Sequence, residues 1–200
     1  MRKKGHRHIV AGDTKLISTG KVLIVWVLLF VCWAGAAWCG TVPAAPVRLE
    51  WSELPPLPNP HGVAGPFVGV SSDAFLVAGG ANFPDGPPWE GCAKVWHDTI
   101  FVLTDPGGTW QAAGRLPRPL AYGVSVTWNQ GVVCLGGGDR ERHHADAFVL
   151  RWTGTRLETT PLPALPRPCA FGAGVLVDDT VYVAGGQETP ASDSGLRQFW

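Results

Sequence analysis

Several large protein classes are excluded by what this chain has little of. Cysteine is the first: five in 200 residues, of which Cys32 and Cys39 lie in an apolar N-terminal run. The remaining three, Cys92, Cys134 and Cys169, are odd in number and show no regular spacing, so no disulfide framework is expected. Cys134 and Cys169 fall inside apolar runs and read as small buried hydrophobes. No stretch repeats its apolar residues at a helical period, which argues against helical fold classes. No serine stands in a G-x-S-x-G elbow, and no glycine loop follows a strand and opens a helix to cradle phosphate. His97, His143 and His144 have no further ligands at a recognised spacing and read as loop histidines. No metal and no cofactor is expected.

Basic charge is scarce where it would count. The formal net charge is zero, but Arg2, Lys3, Lys4, Arg7, Lys15 and Lys21 all precede residue 41, against one acid, Asp13. The rest of the chain holds ten basic and fifteen acidic residues, a balance of −5. A nucleic-acid partner is excluded on that balance, because phosphate binding needs a basic surface.

Residues 1–40 have a charged start, an apolar run from Val22 to Cys39 and a small-residue exit at Ala34-Gly35-Ala36. That order describes a secretory signal peptide, or an N-terminal anchor over residues 22–39 if it is not cleaved. The remainder is expected to be exported, to the periplasm or the medium. Membrane contact is expected only through this segment. Residues 41–50 read as a Pro/Ala linker, and Arg48 to Leu57 as an outer strand.

With Gly 26, Pro 18 and Trp 10, the composition suits an all-β chain. Its organising stretch runs from His61 to Pro84. An apolar run Val63–Val70, a turn at Ser71-Ser72-Asp73 and a second run Ala74–Ala78 end on Gly79-Gly80. The pattern returns as Leu120–Trp128 and Val132–Leu135, ending on Gly136-Gly137. It returns again as Cys169–Val177 and Val181–Ala184, ending on Gly185-Gly186. The glycine pairs are 57 and 49 residues apart, bracketing the ~50-residue kelch period. A Leu-Pro step precedes each unit, at Leu57, Leu116 and Leu165. After the first two pairs an aspartate opens another strand, Asp98–Leu103 and Asp146–Leu150. Over residues 51–200 this predicts an incomplete kelch-type β-propeller, about three blades of an expected six. The third unit stops at Trp200, so the chain reads as a fragment or a truncated copy.

Propeller chemistry sits on loops that converge at one mouth of the central channel. Two loops qualify. Gly79 to Asp98 carries Asn82, Phe83, Trp89, Glu90, Lys94 and Trp96; aromatic faces beside a few polar groups suit a sugar. The alternative is that its tryptophans pack the blade and Glu90–Lys94 is a solvated pair. Gly185 to Trp200 carries Glu188 and Arg197. A partly desolvated carboxylate there suits acid–base work, and a guanidinium suits a carboxylate ligand. The alternative is a flexible tail.

Asn59 to Val70, Gly79-Gly-Ala-Asn-Phe-Pro84, Trp89-Glu-Gly91 with Lys94, and Ala121 to Asn129 resemble the N-acetylneuraminate epimerase (sialic acid mutarotase) family. The order of segments is similar to its cyclically permuted branch. The resemblance covers most of residues 51–200. It implies an exported propeller that interconverts the anomers of sialic acid without a cofactor. It further implies Glu188 as catalytic base, with Arg197, Asn82, Glu90 and Lys94 binding substrate, and Arg197 and Lys94 on the sugar's carboxylate. The gap from Glu188 to Arg197 is wider than the family pattern. A non-catalytic glycan- or protein-binding kelch module, or a nonfunctional fragment, is the alternative.

Overall fold

Two-residue reversals build the sheets. Ser72 and Asp73 have φ of 47° and 64°, and Asn129 and Gln130 have 44° and 58°. Positive φ at both turn positions matches the natural twist of antiparallel strands, which is why short polar residues stand there. The first turn joins β1 (Phe67–Ser71) to β2 (Ala74–Ala78), the second joins β7 (Val124–Trp128) to β8 (Gly131–Leu135). A third hairpin pairs β11 (Ala170–Val177) with β12 (Thr180–Gln187) through Asp178-Asp179.

The computed structural model describes residues 48–200. The signal or anchor expected over 1–40, and most of the linker at 41–50, lie outside the described residues. The chain divides into two units, Met1–Trp51 and Ser52–Trp200. Of the first, only Arg48–Trp51 is described; Arg48 Nε lies 3.2 Å from Glu50 Oε1, both side chains exposed. None of the described helical turns is long and apolar enough to cross a membrane.

The second unit is all-β apart from one short 3-10 turn, Pro88–Glu90. Its first blade is a four-stranded sheet in the order β1-β2-β5-β6, with β5 at Thr99–Leu103 and β6 at Gln111–Arg115. The second blade is β7-β8-β9-β10, with β9 at Ala147–Trp152 and β10 at Leu157–Leu162. A small ribbon, β3 (Ala81–Asn82) against β4 (Val95–Trp96), rises from the first blade. In the third blade Ala184 bridges Phe199, and Val183 and Trp200 exchange both backbone hydrogen bonds, at 2.9 and 3.0 Å. These pairs match Ala78–Ile100 in the first blade and Leu135–Ala147 in the second, so Phe199 and Trp200 hold the place of a third strand in blade three. The described residues are therefore part of a kelch-type β-propeller: two full blades and part of a third. One expected strand is absent. Arg48 to Leu57 forms no strand: Pro55 and Pro56 have no N–H to give to a ladder, and Pro55 O instead accepts from Trp110 Nε1–H at 2.8 Å.

Strand alternation fills the space between blades. Leu76, Ile100, Val102 and Phe67 from the first blade meet Val132, Cys134, Phe148 and Leu150 from the second. The other face of the second blade sends Val133, Leu135 and Val149 against Cys169 and Val183 of the third. Truncating one such leucine to alanine costs about 2–5 kcal/mol. Polar ties fix the angle between blades. Val68 N–H donates to Ser125 Oγ at 3.0 Å and Val70 N–H to Thr127 Oγ1 at 2.9 Å. The buried Ser71 hydroxyl donates to Gln130 O at 2.6 Å and accepts from Trp152 N–H at 2.8 Å. Cys134 and Cys169 are buried free thiols, and burial pushes both above the usual range.

Candidate functional site

The twin glycines position the site. The first glycine of each pair has φ near +65° (68°, 63° and 66°) and the second lies between 88° and 96°. Only glycine holds such a pair of angles without strain. The backbone then turns into the next blade: Gly80 N–H donates to Leu120 O and Gly137 N–H to Cys169 O, both at 2.8 Å. A Cβ on Gly79 or Gly136 would be driven into those same carbonyl oxygens.

The register makes three side chains equivalent. Ala81 bridges Ala64, Gly138 bridges Ala121, and Gln187 pairs with Ala170. The residues that follow, Asn82, Asp139 and Glu188, therefore hold one position in three successive blades. A second position is also shared: His97, His144 and Leu196 donate their N–H groups to Gly80, Gly137 and Gly186.

In the first blade the two positions bond each other. Asn82 Oδ1 accepts from His97 Nε2 at 2.8 Å, while its Nδ2 donates to Gly62 O at 2.7 Å and Asn59 Oδ1 at 3.1 Å. Asn82 is 9% exposed, and these bonds make it a strut. The second blade repeats the pair with charge. His144 Nδ1 lies 2.8 Å from Arg118 Nη1; a guanidinium only donates, so the ring proton sits on Nε2 and points at Asp139 Oδ2, 2.7 Å away. Arg118 also holds Asp146 Oδ2 at 2.6 Å. Burial works to raise the Asp139 pKa, but the N–H of Arg142, the His144 ring and the N–H of Glu141 outweigh it and hold the carboxyl at about 2. Asp139 is a committed anion, of no use as a proton carrier near neutrality.

In the third blade leucine replaces the histidine. Glu188, 42% exposed at its side chain, has Arg167 Nη1 at 3.4 Å from its Oε2. Arg167 occupies the same lead-in position as Arg118, in a repeated Leu-Pro-Arg-Pro at 116–119 and 165–168. Of the three equivalent side chains, Glu188 alone is an acid with no histidine bound to it.

The other expected residues stand apart from this pair on their own loops. Lys94 Nζ sits 4.6 Å over the Tyr122 ring, 5.4 Å from Trp96 and 5.6 Å from Phe83. Glu90 ends the exposed 3-10 turn, and Arg197 is exposed on the segment that pairs with β12. Arg167, not among the residues expected from the sequence, stands beside Glu188. The repeated Leu-Pro-Arg-Pro was the available signal. His143 is 7% exposed; its Nδ1–H donates to Gln187 O at 3.0 Å, and burial pushes it below the usual imidazole range although that carbonyl works the other way. No three His, Cys, Asp or Glu among the described residues cluster to hold a metal ion.

Comparison with known proteins follows the same lines. The family model of N-acetylneuraminate epimerase matches residues 40–159. The N-acetylneuraminate epimerase of Yersinia enterocolitica is 37% identical over 140 residues, covering 61% of this chain and 34% of that protein. The enzyme of that name from Brucella suis is 39% identical over 119 residues, 53% of this chain and 30% of its own. The solved structure of YjhT superposes with a TM-score of 0.51 at 30% identity, covering 56% of this chain and 35% of that one. The chain thus spans about a third of the length of the curated relatives it matches. With more than half of its residues matched by the family model, the chain belongs to the N-acetylneuraminate epimerase family.

Proposed function

We infer that this chain is part of an exported, sialic acid mutarotase-like protein that speeds exchange between the two anomers of N-acetylneuraminate. The reading is supported by the family, and within the molecule by one observation: Glu188 is the only one of three equivalent polar side chains left without a histidine, and it has Arg167 3.4 Å away. Both residues lie beyond the segment the family model matches, so their assignment rests on the phase of the repeat.

The chemistry is a proton exchange across a cyclic hemiketal. Glu188 takes the proton of the anomeric hydroxyl, whose electron pair forms the carbonyl as the bond from the anomeric carbon to the ring oxygen breaks. The ring oxygen takes a proton from water. The ketone end turns and the steps run backwards on its other face. Arg167 takes the carboxylate next to the anomeric carbon, through the planar fork that suits a carboxylate. Lys94 and Glu90 line the approach, Asn82 braces it through its buried hydrogen bonds, and Arg197 lies outside this first contact. No cofactor enters the scheme. Export rests on the charged start and apolar run of residues 1–40, and N-terminal sequencing of the secreted chain tests it.

Exchange spectroscopy by NMR on equilibrated N-acetylneuraminate measures the anomer rate directly. The wild-type chain should raise it above the buffer rate, and E188Q should lower the gain on the order of 10²–10⁴-fold, as loss of a general base does. A wild-type chain that leaves the exchange at its buffer rate overturns the reading.

A further inference from the structure

One position in each blade carries a feature that the fold does not require. Gly65, Tyr122 and Phe171 directly follow Ala64, Ala121 and Ala170, and all three have left-handed backbones, with φ of 59°, 65° and 61°. A β-carbon is costly there, and an aromatic one more so. The first blade shows that glycine serves the backbone. The second and third blades carry rings at the same place in spite of the strain, which is a pattern of functional rather than structural selection.

The two rings are neither core nor scattered. Tyr122 and Phe171 stack with centroids 4.5 Å apart and planes at 24°. Tyr122 packs into the space that a side chain at Gly65 would fill. Phe171 is 53% exposed. The stack ends differently on its two sides. Lys94 Nζ stands 4.6 Å over Tyr122. On the other side the His143 ring meets Phe171 edge-on at 5.8 Å, and Phe171 lines an open cavity of about 460 Å³ with Gly186, Gln187 and Gly195. Glu188 follows Gln187 in the chain. The stack therefore has Lys94 at its Tyr122 end and the cavity beside Gln187 at its Phe171 end.

We propose that Phe171, backed by Tyr122, forms an acyl-binding subsite, which takes the acetamido methyl of an N-acylated sugar acid. The inference rests on the reading above, which puts the anomeric carbon and carboxylate at Glu188 and Arg167. The sugar then extends over Phe171, and the one strongly apolar group it carries meets the exposed part of that ring. The site selects acylated over unacylated sugar acids.

The test uses F171G and Y122G, which relax the left-handed backbone and so keep the fold while deleting the rings. Saturation-transfer NMR and titration are run on the wild type and both variants. The ligands are N-acetylneuraminate and the analogue carrying a hydroxyl in place of the acetamido group. In the wild type the acetyl methyl should receive the strongest saturation, and the acetylated sugar should bind at least about tenfold tighter. F171G should bring the two ligands to equal affinity without weakening the hydroxyl analogue. If F171G weakens both ligands alike, or neither, the subsite is overturned while the sialic acid reading stands. If the wild-type chain binds neither sugar, that reading falls and the subsite falls with it.

Discussion

The ring of His144 gives its Nε2 proton to Oδ2 of Asp139 across 2.7 Å, while its other nitrogen accepts from Arg118. A histidine held between a donor and an acceptor in this way has one tautomer and one orientation, and it locks the loop after the second glycine pair to the lead-in of its own blade. The carboxylate that this arrangement serves has a folded-state pKa of about 2, below its ordinary value of 3.8. Depression of that kind adds stability that is complete above about pH 4 and is lost as pH falls through about 2. Urea melts between pH 5 and pH 2 should show the wild type weakening chiefly below pH 4. D139N should be less stable by about 1–2 kcal/mol at pH 6 and should converge on the wild type at pH 2. Parallel curves for the two proteins would show that Asp139 is not the titrating group.

The first blade has the same pairing without charge, and the contrast is measurable. H97L leaves Asn82 Oδ1 without its ring donor, but Nδ2 keeps Gly62 O and Asn59 Oδ1. H144L strips a partner from both Asp139 and Arg118. Removing one partner of a neutral bond costs about 1 kcal/mol, and charged groups cost about twice that or more. H144L should therefore lower the urea midpoint at least twice as far as H97L, at unchanged m-value.

The glycine pairs give a steric prediction. Gly136 and Gly185 have nearly the same backbone, with φ of 63° and 66°. A Cβ on Gly136 collides with the carbonyl oxygen of Cys169, whereas on Gly185 the nearest atom is Leu196 O at 4.0 Å. G185A should cost only the left-handed strain, about 1–2 kcal/mol. G136A adds a backbone collision at the junction of two blades and should cost about 3 kcal/mol or more, enough to unfold a marginal domain. Thermal melts of the two variants settle it; equal losses would mean that the blade junction yields.

These contrasts also show what was legible in the sequence. The twin glycines, the polar turns and the aspartates opening β5 and β9 recur in phase because each meets a local demand: a positive φ, a reversal, a strand start. Local demands leave a mark at fixed spacing, so the blades could be read from them. The Arg48–Leu57 strand could not, because an apolar-polar alternation states what a segment would do if a partner ladder stood beside it. The site was half legible. Glu188 was marked by its place after a glycine pair. Arg167 could be found only by combining two signals: the repeated Leu-Pro-Arg-Pro, and the register that the Asp178-Asp179 turn imposes, which pairs Ala170 with Gln187. Tyr122 and Phe171 were hidden: their left-handed backbone is invisible until Gly65 is seen to share it.

Arg167 and Arg197 can be told apart by kinetics, and the structure says which way the difference runs. Arg167 is fixed at the proline-flanked lead-in with its guanidinium 3.4 Å from Glu188, at a partly exposed site. Arg197 is exposed on the segment that pairs with β12. A guanidinium that holds the substrate carboxylate in both ground and transition states contributes to KM, whereas one that also orients Glu188 contributes to kcat. With anomer exchange as the assay, R167Q should raise KM about tenfold or more and lower kcat as well, since a carboxylate ligand is lost and Glu188 is left without its partner. R167K should recover part of kcat but little of KM, because an ammonium supplies charge without the bidentate fork. R197Q should stay within about twofold of the wild type in both constants. If R197Q carries the loss and R167Q is silent, the base works with the downstream arginine, and the lead-in Pro-Arg-Pro of the third blade has only the structural duty that Arg118 performs in the second.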